Sequence, residues 1–525
     1  MAKREPRLGK SPVVHRIRPV LLSVAITILS LAALANALTK PLGRDEHMYC
    51  TAGVLLAQGR LIYRDFCYVA QLPYHPLCLS ILYRLLPTTH YLLIGRLLSV
   101  VCNIGTMVGI LYVFRRAFGS LRAGGAVFGL LGVLLYAFNP AVEYANGYAW
   151  NNDMVVFCIV LAFCLYLSID PARPSKYGFA AGIGVVMGLA TWTRMTTAAY
   201  LAVFLLMLVL MPATDSKERV KTGLWFLSGA AVVSLWPISV IVRAPRAFVV
   251  DVFRIHMLNS EWLHDLGVVY PKSHLVATML LQPGFFVLFL IAAFLFGVLL
   301  AHRRRWGQTQ VRATVLAAIL TTMAFVSALV LPTIWQQYLA PPVPLMVMSF
   351  AYPLAFLQRG FDGRGGKHSV QVASILMCLA AVVAVGSKPA VIARIAALGD
   401  ADLWTPVRVH RISRGIVGNA GPSKLVLTTA PLFSLEGGGR IYPEFAAGPF
   451  PYRIGAMLSQ AERRLTNTVG PDGIEQLVAE SPPSVVLLGI ETGPFAFLEE
   501  PLRAVAGEDW IRTSHGSGLI AYHRP

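Results

Sequence analysis

The stretch Arg44-Asp45-Glu46-His47-Met48-Tyr49, followed by Leu55-Leu56-Ala57-Gln58-Gly59-Arg60-Leu61-Ile62-Tyr63-Arg64-Asp65, begins a few residues after the first apolar run of the chain ends. Two adjacent carboxylates at the rim of a membrane span, among basic groups, suit one kind of chemistry. A carboxylate takes the proton of an attacking hydroxyl, and a neighbouring cation steadies an anion. Asp45 and Glu46 are therefore the first catalytic candidates. The plainer role for Asp45 is to cap the helix that follows, since Asp is a preferred N-cap residue. The spacing of Met48, Ala52, Leu55 and Leu56 fits a helix lying in the membrane interface, with Gly59 ending it. A cap alone does not call for a second acid. Asp65, after Tyr63, reads as a turn acid.

Asp153 is the next candidate. It closes Tyr148-Ala149-Trp150-Asn151-Asn152-Asp153 at the start of an apolar run, beside aromatic rings suited to stacking on a sugar; helix capping is its plain alternative. Arg194, in Thr191-Trp192-Thr193-Arg194-Met195-Thr196, is a snorkelling anchor or the partner of a lipid phosphate. Arg254 and His256 are charges on an amphipathic helix or a second phosphate clamp. Trp335 and Tyr338 precede Pro341-Pro342-Val343-Pro344 at an apolar run, where aromatic-belt anchoring is the alternative to a site role. Arg96 lies inside an apolar run and must face a partner or a cavity.

What must position these residues is a membrane bundle. The 525 residues are 56% hydrophobic and 14% charged, against roughly a quarter charged in soluble domains. Apolar runs near 19–38, 90–113, 123–138, 154–169, 178–193, 195–211, 223–242, 275–299, 313–331, 339–356 and 370–386 give about eleven spans. The first lacks a signal-peptide cleavage pattern and reads as a retained span. The net charge of +19 is not gathered on one polar domain. It falls in clusters separated by pairs of runs: Lys3 to Arg18, Arg115 to Arg122, Arg173 and Lys176, Lys217 to Lys221, Arg303 to Arg312, and Arg359 to Lys367. That alternation is the positive-inside pattern. It sets the amino terminus in the cytoplasm and argues against nucleic acid as a partner. An odd number of spans places the carboxy terminus outside, together with Asp45, Asp153 and Arg194.

The segment from 387 to 525 changes character. Lys424 to Thr429, Val485 to Ile490 and Gly518 to Tyr522 read as strands, and Tyr452 to Arg464 and Gly473 to Glu480 as helices. The expected fold is mainly α: a transmembrane domain over 1–386, with its outer loop near 39–89, and a small α/β domain over 387–525. None of the seven cysteines has metal-ligand spacing. Cys50, Cys67 and Cys78 leave a disulfide and an apolar filler role both open. No nucleotide-phosphate loop, Ser-His-Asp order or metal-spaced His/Cys set occurs, so no cofactor is assigned and a divalent metal stays open. An enzyme working outside the membrane has no nucleotide sugar and needs a lipid-carried donor. No internal repeat relates the two halves of the apolar part, which weighs against a secondary transporter.

Asp45-Glu46-x-x-Tyr49, Gly59-x-x-x-Tyr63-x-Asp65 and Pro73-x-x-Pro76 resemble the first outer loop of GT-C glycosyltransferases. The nearest branch is that of the protein O-mannosyltransferases and the lipid A aminoarabinose transferases. The acidic second loop, the Thr193-Arg194 turn and Gln337-Tyr338-Leu339-Ala340-Pro341 fall in the order the resemblance implies. It implies that Asp45 orients or deprotonates the acceptor, that Asp153 is the acid of the second loop, and that Arg194 and Tyr338 touch the carrier phosphate. Two departures concern the acceptor: Gln71-Leu72-Pro73-Tyr74-His75-Pro76 lacks the basic residue often found before a Pro-Pro pair, and Met48 stands where the aminoarabinose branch has Arg.

The expectation is a bacterial inner-membrane glycosyltransferase. It moves a sugar from a polyprenyl-phosphate donor to a glycan, lipid or protein acceptor on the extracytoplasmic face, with inversion and with Asp45 as base. The alternatives are a transporter or flippase of lipid-linked sugars and a non-catalytic scaffold that binds cell-wall components.

Overall fold

A computed structural model describes residues 12–119, 121–211, 215–268, 271–302, 306–330, 335–359, 364–516 and 518–525. Of the basic clusters, Lys3, Arg4, Arg7, Lys10, Arg303, Arg304 and Arg305 lie outside the described residues.

The chain opens with α1 (Pro12–Thr39). The first long connection carries α2 (Arg44–Ala57) and α3 (Tyr74–Leu85). A bundle follows: α4 (Tyr91–Phe118), α5 (Arg122–Ala137), the short α6 (Pro140–Ala145), α7 (Asn152–Ser168), α8 (Ser175–Thr191), α9 (Ala198–Val209) and α10 (Ser216–Arg243). The second long connection holds α11 (Pro245–Val249) and α12 (Ile255–Asp265), joined by one π-helical turn at Val250–Arg254. Then come α13 (Lys272–Leu280), α14 (Pro283–Ala301), α15 (Gln308–Val330), α16 (Pro342–Ser349), α17 (Ala351–Gln358), α18 (Arg364–Gly386) and α19 (Ala390–Ala396).

Each of the eleven expected apolar runs falls on helix, but their lengths differ. Among the described residues six helices are long and apolar enough to cross a membrane, or seven if the pair Gln371–Gly386 and Ala390–Gly399, bent by 62°, is one span. Ala123–Ala137, Asn152–Ser168 and Met195–Val209 are shorter apolar helices. The run expected at 275–299 is broken before Pro283, which starts α14 with its fixed φ and missing N–H. Leu224, Leu235 and Val242 of α10 are 57, 68 and 70% exposed, a row of aliphatic side chains suited to lipid rather than to water. The chain is a multi-pass membrane protein. Where α8 meets α10, Gly184 and Gly229 let the backbones touch: a Cβ at Gly184 would stand 1.9 Å from the Phe226 carbonyl oxygen, and one at Gly229 2.1 Å from that of Ala181.

The carboxy-terminal part contains α20 (Thr405–Gly418), β1 (Leu425–Leu427), α21 (Pro431–Glu436), β2 (Arg440–Ile441), α22 (Pro449–Arg453), α23 (Gln460–Thr466), α24 (Ile474–Glu480), β3 (Val485–Leu488), β4 (Ile511–Ser514) and β5 (Ile520–His523). The sheet order is β2-β1-β3-β5-β4, parallel across β2-β1-β3 and antiparallel across β3-β5-β4. Alternation along β3 serves two cores. Val485 and Leu487 pack in a cluster that includes Cys50, Leu92 and Ala149 of the bundle rim, while Val486 and Leu488 pack with Tyr442, Phe445 and Leu502. One face of the sheet thus rests on the first-loop helix and the start of α4. All seven cysteines are free; the Cys67 thiol lies 3.2 Å from Asp251.

Candidate active site

A cavity of about 550 Å³ opens where the first loop, the second loop, the turn after α8, α12, the start of the 336–358 span and the carboxy-terminal part converge. Its ionisable lining includes Arg44, Asp45, Arg194, His256 and Arg453, and its aromatic lining includes Tyr144, Tyr148, Trp150, Trp335 and Tyr338.

Asp45 occupies the first turn of α2 without capping it: the N-cap is Gly43. Its half-buried carboxylate forms no hydrogen bond or ion pair among the described residues and is left facing the cavity. Burial pushes its pKa up to about 6, against the pull of Arg453, Arg44 and Arg194. It is ionised near neutral pH yet close enough to accept a proton usefully.

Arg194 is positioned by the amides of the second loop. Its guanidinium donates to Asn151 Oδ1 at 2.7 Å and to Asn152 Oδ1 at 3.3 Å, and lies over the Tyr338 ring. Asn151 Nδ2 donates in turn to the Thr193 carbonyl and to Gln71 Oε1, which fixes the turn and the orientation of the amide. Among the described residues no carboxylate pairs with Arg194, so its charge is offered to the cavity.

Glu46, beside Asp45 in sequence, does a different job. Arg96 donates from Nε and Nη2 to its two carboxylate oxygens at 2.9 and 2.7 Å, and both side chains are fully buried. The remaining Arg96 N–H groups go to the carbonyls of Ala37, Lys40 and Pro41, so all five donors are satisfied. Glu46 also accepts from the backbone N–H of Gly43 and of Ala149, each at 2.7 Å. With four bonds accepted and no place in the cavity wall, it ties α1, α2, α4 and the second loop together.

Asp153 does not line the cavity. It is buried, and its Oδ2 accepts from the Gly147 N–H at 2.9 Å. Gly147 itself sits at φ +87°, and a Cβ there would come within 2.9 Å of the Ala37 backbone. Asp153 therefore shapes the loop that carries Tyr148, Trp150 and Asn151 to the cavity. His256 lines the cavity and burial lowers its pKa. Arg254 points away, exposed, 3.9 Å from Glu462.

Two residues here carried no role in the sequence reading. Arg453 of α22 enters the cavity wall from the carboxy-terminal part, its Nε donating to Asn259 at 2.7 Å with its guanidinium over Trp262 and Phe450. Asp251 joins the two long loops: it accepts from the Tyr68 N–H at 3.0 Å and from the Cys67 thiol, and its carbonyl accepts from Ala70. Burial pushes its carboxyl up to about 8.

No protein-family model matches the chain, and no curated protein matches it. Solved structures do. ArnT from Cupriavidus metallidurans bound to undecaprenyl phosphate aligns with a TM-score of 0.61 at 13% identity, covering 96% of this chain and 97% of that one. The archaeal oligosaccharyltransferase AglB from Archaeoglobus fulgidus, in complex with an inhibitory peptide and a dolichol-phosphate, aligns with a TM-score of 0.52 at 10% identity, covering 97% and 74%. At such identities the likeness is one of fold, and it runs through both the bundle and the carboxy-terminal part. The chain has the GT-C fold that its first-loop motif implied.

Proposed function

We propose that this protein is an integral membrane glycosyltransferase that takes a sugar from a polyprenyl-phosphate carrier. The observation that carries the reading is the sharing of one cavity by a carboxylate, Asp45, and a cation, Arg194, neither of which forms an ion pair among the described residues, beside the Tyr338 ring. That both of these similar structures hold a polyprenyl-type phosphate, undecaprenyl phosphate in one and a dolichol-phosphate in the other, supports the choice of donor.

In this mechanism the donor phosphate pairs with Arg194, with Tyr338 and His256 flanking it, and the sugar lies among Tyr144, Tyr148 and Trp150. Asp45 accepts the proton of the acceptor hydroxyl as its oxygen bonds to the anomeric carbon. The bond from that carbon to the phosphate oxygen breaks, and the carrier phosphate leaves with the electron pair, its charge held by Arg194. A good leaving group needs no general acid, and a single displacement inverts the anomeric centre. Glu46 and Asp153 act here by positioning the two loops, and Arg254 stays at the surface. In the cell the reading places residues 1–386 in the bacterial inner membrane, amino terminus in the cytoplasm, with the cavity and the domain from 387 to 525 on the outer face. The acceptor is a glycan, a lipid or a protein.

The test supplies purified protein in sealed proteoliposomes carrying a radiolabelled polyprenyl-phosphate sugar, together with envelope acceptor fractions. Transfer of label with release of polyprenyl phosphate supports the enzyme. Movement of intact donor across the bilayer without transfer would replace it with a flippase.

A further inference from the structure

We propose that His90, His410 and Glu436 form a zinc site that clasps the carboxy-terminal part to the start of α4. His90 is the residue before α4, His410 lies on α20 and Glu436 ends α21. One ligand atom from each comes within 4.8 Å of the others, with His410 Nδ1 2.8 Å from Glu436 Oε2. The two imidazoles stack with centroids 3.6 Å apart and planes 27° from parallel. Among the described residues His90 Nδ1, an atom with no exposed surface, has no hydrogen-bond partner.

That nitrogen leaves room for a further ligand at the cluster. A buried imidazole nitrogen without a partner costs stability, and nothing in the His410–Glu436 hydrogen bond relieves it. An ion does, because it takes a lone pair from each ring and from the carboxylate. Two imidazoles and a carboxylate are a ligand set that zinc accepts, with bonds of about 2.0–2.1 Å, which sets the donors roughly 3.3 Å apart and leaves a fourth position for water. Reaching that spacing takes rotation of the partly buried His90 and His410 side chains out of their stacked arrangement. The carboxylate is already held on its other side: Glu436 Oε1 accepts from the Leu92 N–H at 2.7 Å. A ligand fixed in this way is what orders metal sites elsewhere.

None of the three residues lines the cavity, so the ion is structural. It links three segments that the chain brings together from far apart, at the end of α4 that leads within two turns to Arg96. Metal bound only by the folded protein stabilises it in proportion to its binding.

The experiment uses the full chain in detergent, stripped with a chelator, desalted and given zinc chloride. Wild type should retain about one zinc per chain and melt at a higher temperature with zinc than without. Substituting cobalt should produce the visible absorption of a four-coordinate site. H90A/H410A should retain no zinc above background and show no zinc-dependent shift, while still binding polyprenyl-phosphate donor, which reports an intact cavity. E436Q keeps an acceptor for the Leu92 N–H but loses the charged ligand, and should lose zinc likewise. Wild type that retains no zinc, or variants that retain as much as wild type, would overturn the site.

Discussion

Arg194 lies over the Tyr338 ring, its guanidinium carbon 6.0 Å from the centroid, while its N–H groups donate to the amide oxygens of Asn151 and Asn152. Neutral acceptors hold a guanidinium in place without neutralising it. A carboxylate in the same position would compete with a phosphate; an amide does not.

Arg194→Ala should weaken binding of a polyprenyl-phosphate sugar by about 10- to 100-fold, the range of a lost charge-assisted hydrogen bond of roughly 1.5–3 kcal/mol. Arg194→Lys should recover only part of it, because an ammonium cannot reproduce the planar fork. Equilibrium binding of labelled donor in nanodiscs measures both, and an unchanged affinity in the alanine variant would detach Arg194 from the donor.

Asp45→Asn should lower transfer by about 10²- to 10⁴-fold with donor binding little altered. With Asp45 as base, wild-type kcat/KM should fall about tenfold per pH unit below the carboxyl's pKa of about 6 and level off above it. The asparagine variant should lack that acid limb in its residual rate. A variant that keeps both the limb and the wild-type rate would leave Asp45 as a first-turn residue of α2 and nothing more.

Glu46→Gln should destabilise rather than merely slow the protein. It leaves the fully buried Arg96 without its counter-charge, a loss of about 3–5 kcal/mol for a broken buried pair. E46Q/R96L removes both charges and should recover much of the stability. Thermal unfolding followed by size-exclusion chromatography compares the two; equal melting of wild type and E46Q would contradict the buried network.

Asp153→Asn should be mild, with transfer reduced less than about tenfold, far from the loss expected for a base. The amide oxygen still accepts from the Gly147 N–H. A loss as deep as that of Asp45→Asn would return Asp153 to the chemistry.

Asp251 gives stability a pH dependence. Its carboxyl is raised to about 8 in the folded protein, so between the ordinary carboxylate range near pH 4 and about pH 8 the unfolded chain is ionised where the folded one holds its proton. The folded state binds more protons, and stability falls as pH rises through that window. Asp251→Asn should flatten this decline and raise the melting temperature at pH 8. A variant that melts lower than wild type at pH 8 would show the ionised carboxylate to be the favoured form.

Much of this architecture was legible because it is written locally. The first-loop helix follows from apolar spacing and Gly59, and β1, β3 and β5 from short β-branched or aliphatic runs. Strand β4 escaped because it is an exposed edge, with Ile511 62% exposed, and β2 because two residues carry no period. Asp45, Arg194, His256 and Tyr338 line one cavity, whereas Glu46, Asp153 and Arg254, read from loop positions of the same kind, do not. Separating Asp45 from Glu46 needed Arg96, 50 positions away, and no local pattern says which of two adjacent acids an arginine will claim. Arg453 escaped for the same reason: a cation in a proline- and aromatic-rich turn acquires its meaning from α12 and α2. The His90–His410 pair lies outside any metal spacing motif because its members are brought together only by the docking of the sheet.

The cavity wall draws on Asp45 near one end of the chain and on Arg453 and Phe495 near the other. Its assembly therefore has an order in time. A nascent chain can lay down α1 to α18 and already hold Arg194 against its amides, yet it has no complete cavity until translation has passed Phe495. A shorter product would lack Arg453 and Phe495 of the wall, so the bundle is laid down before the cavity above it is closed.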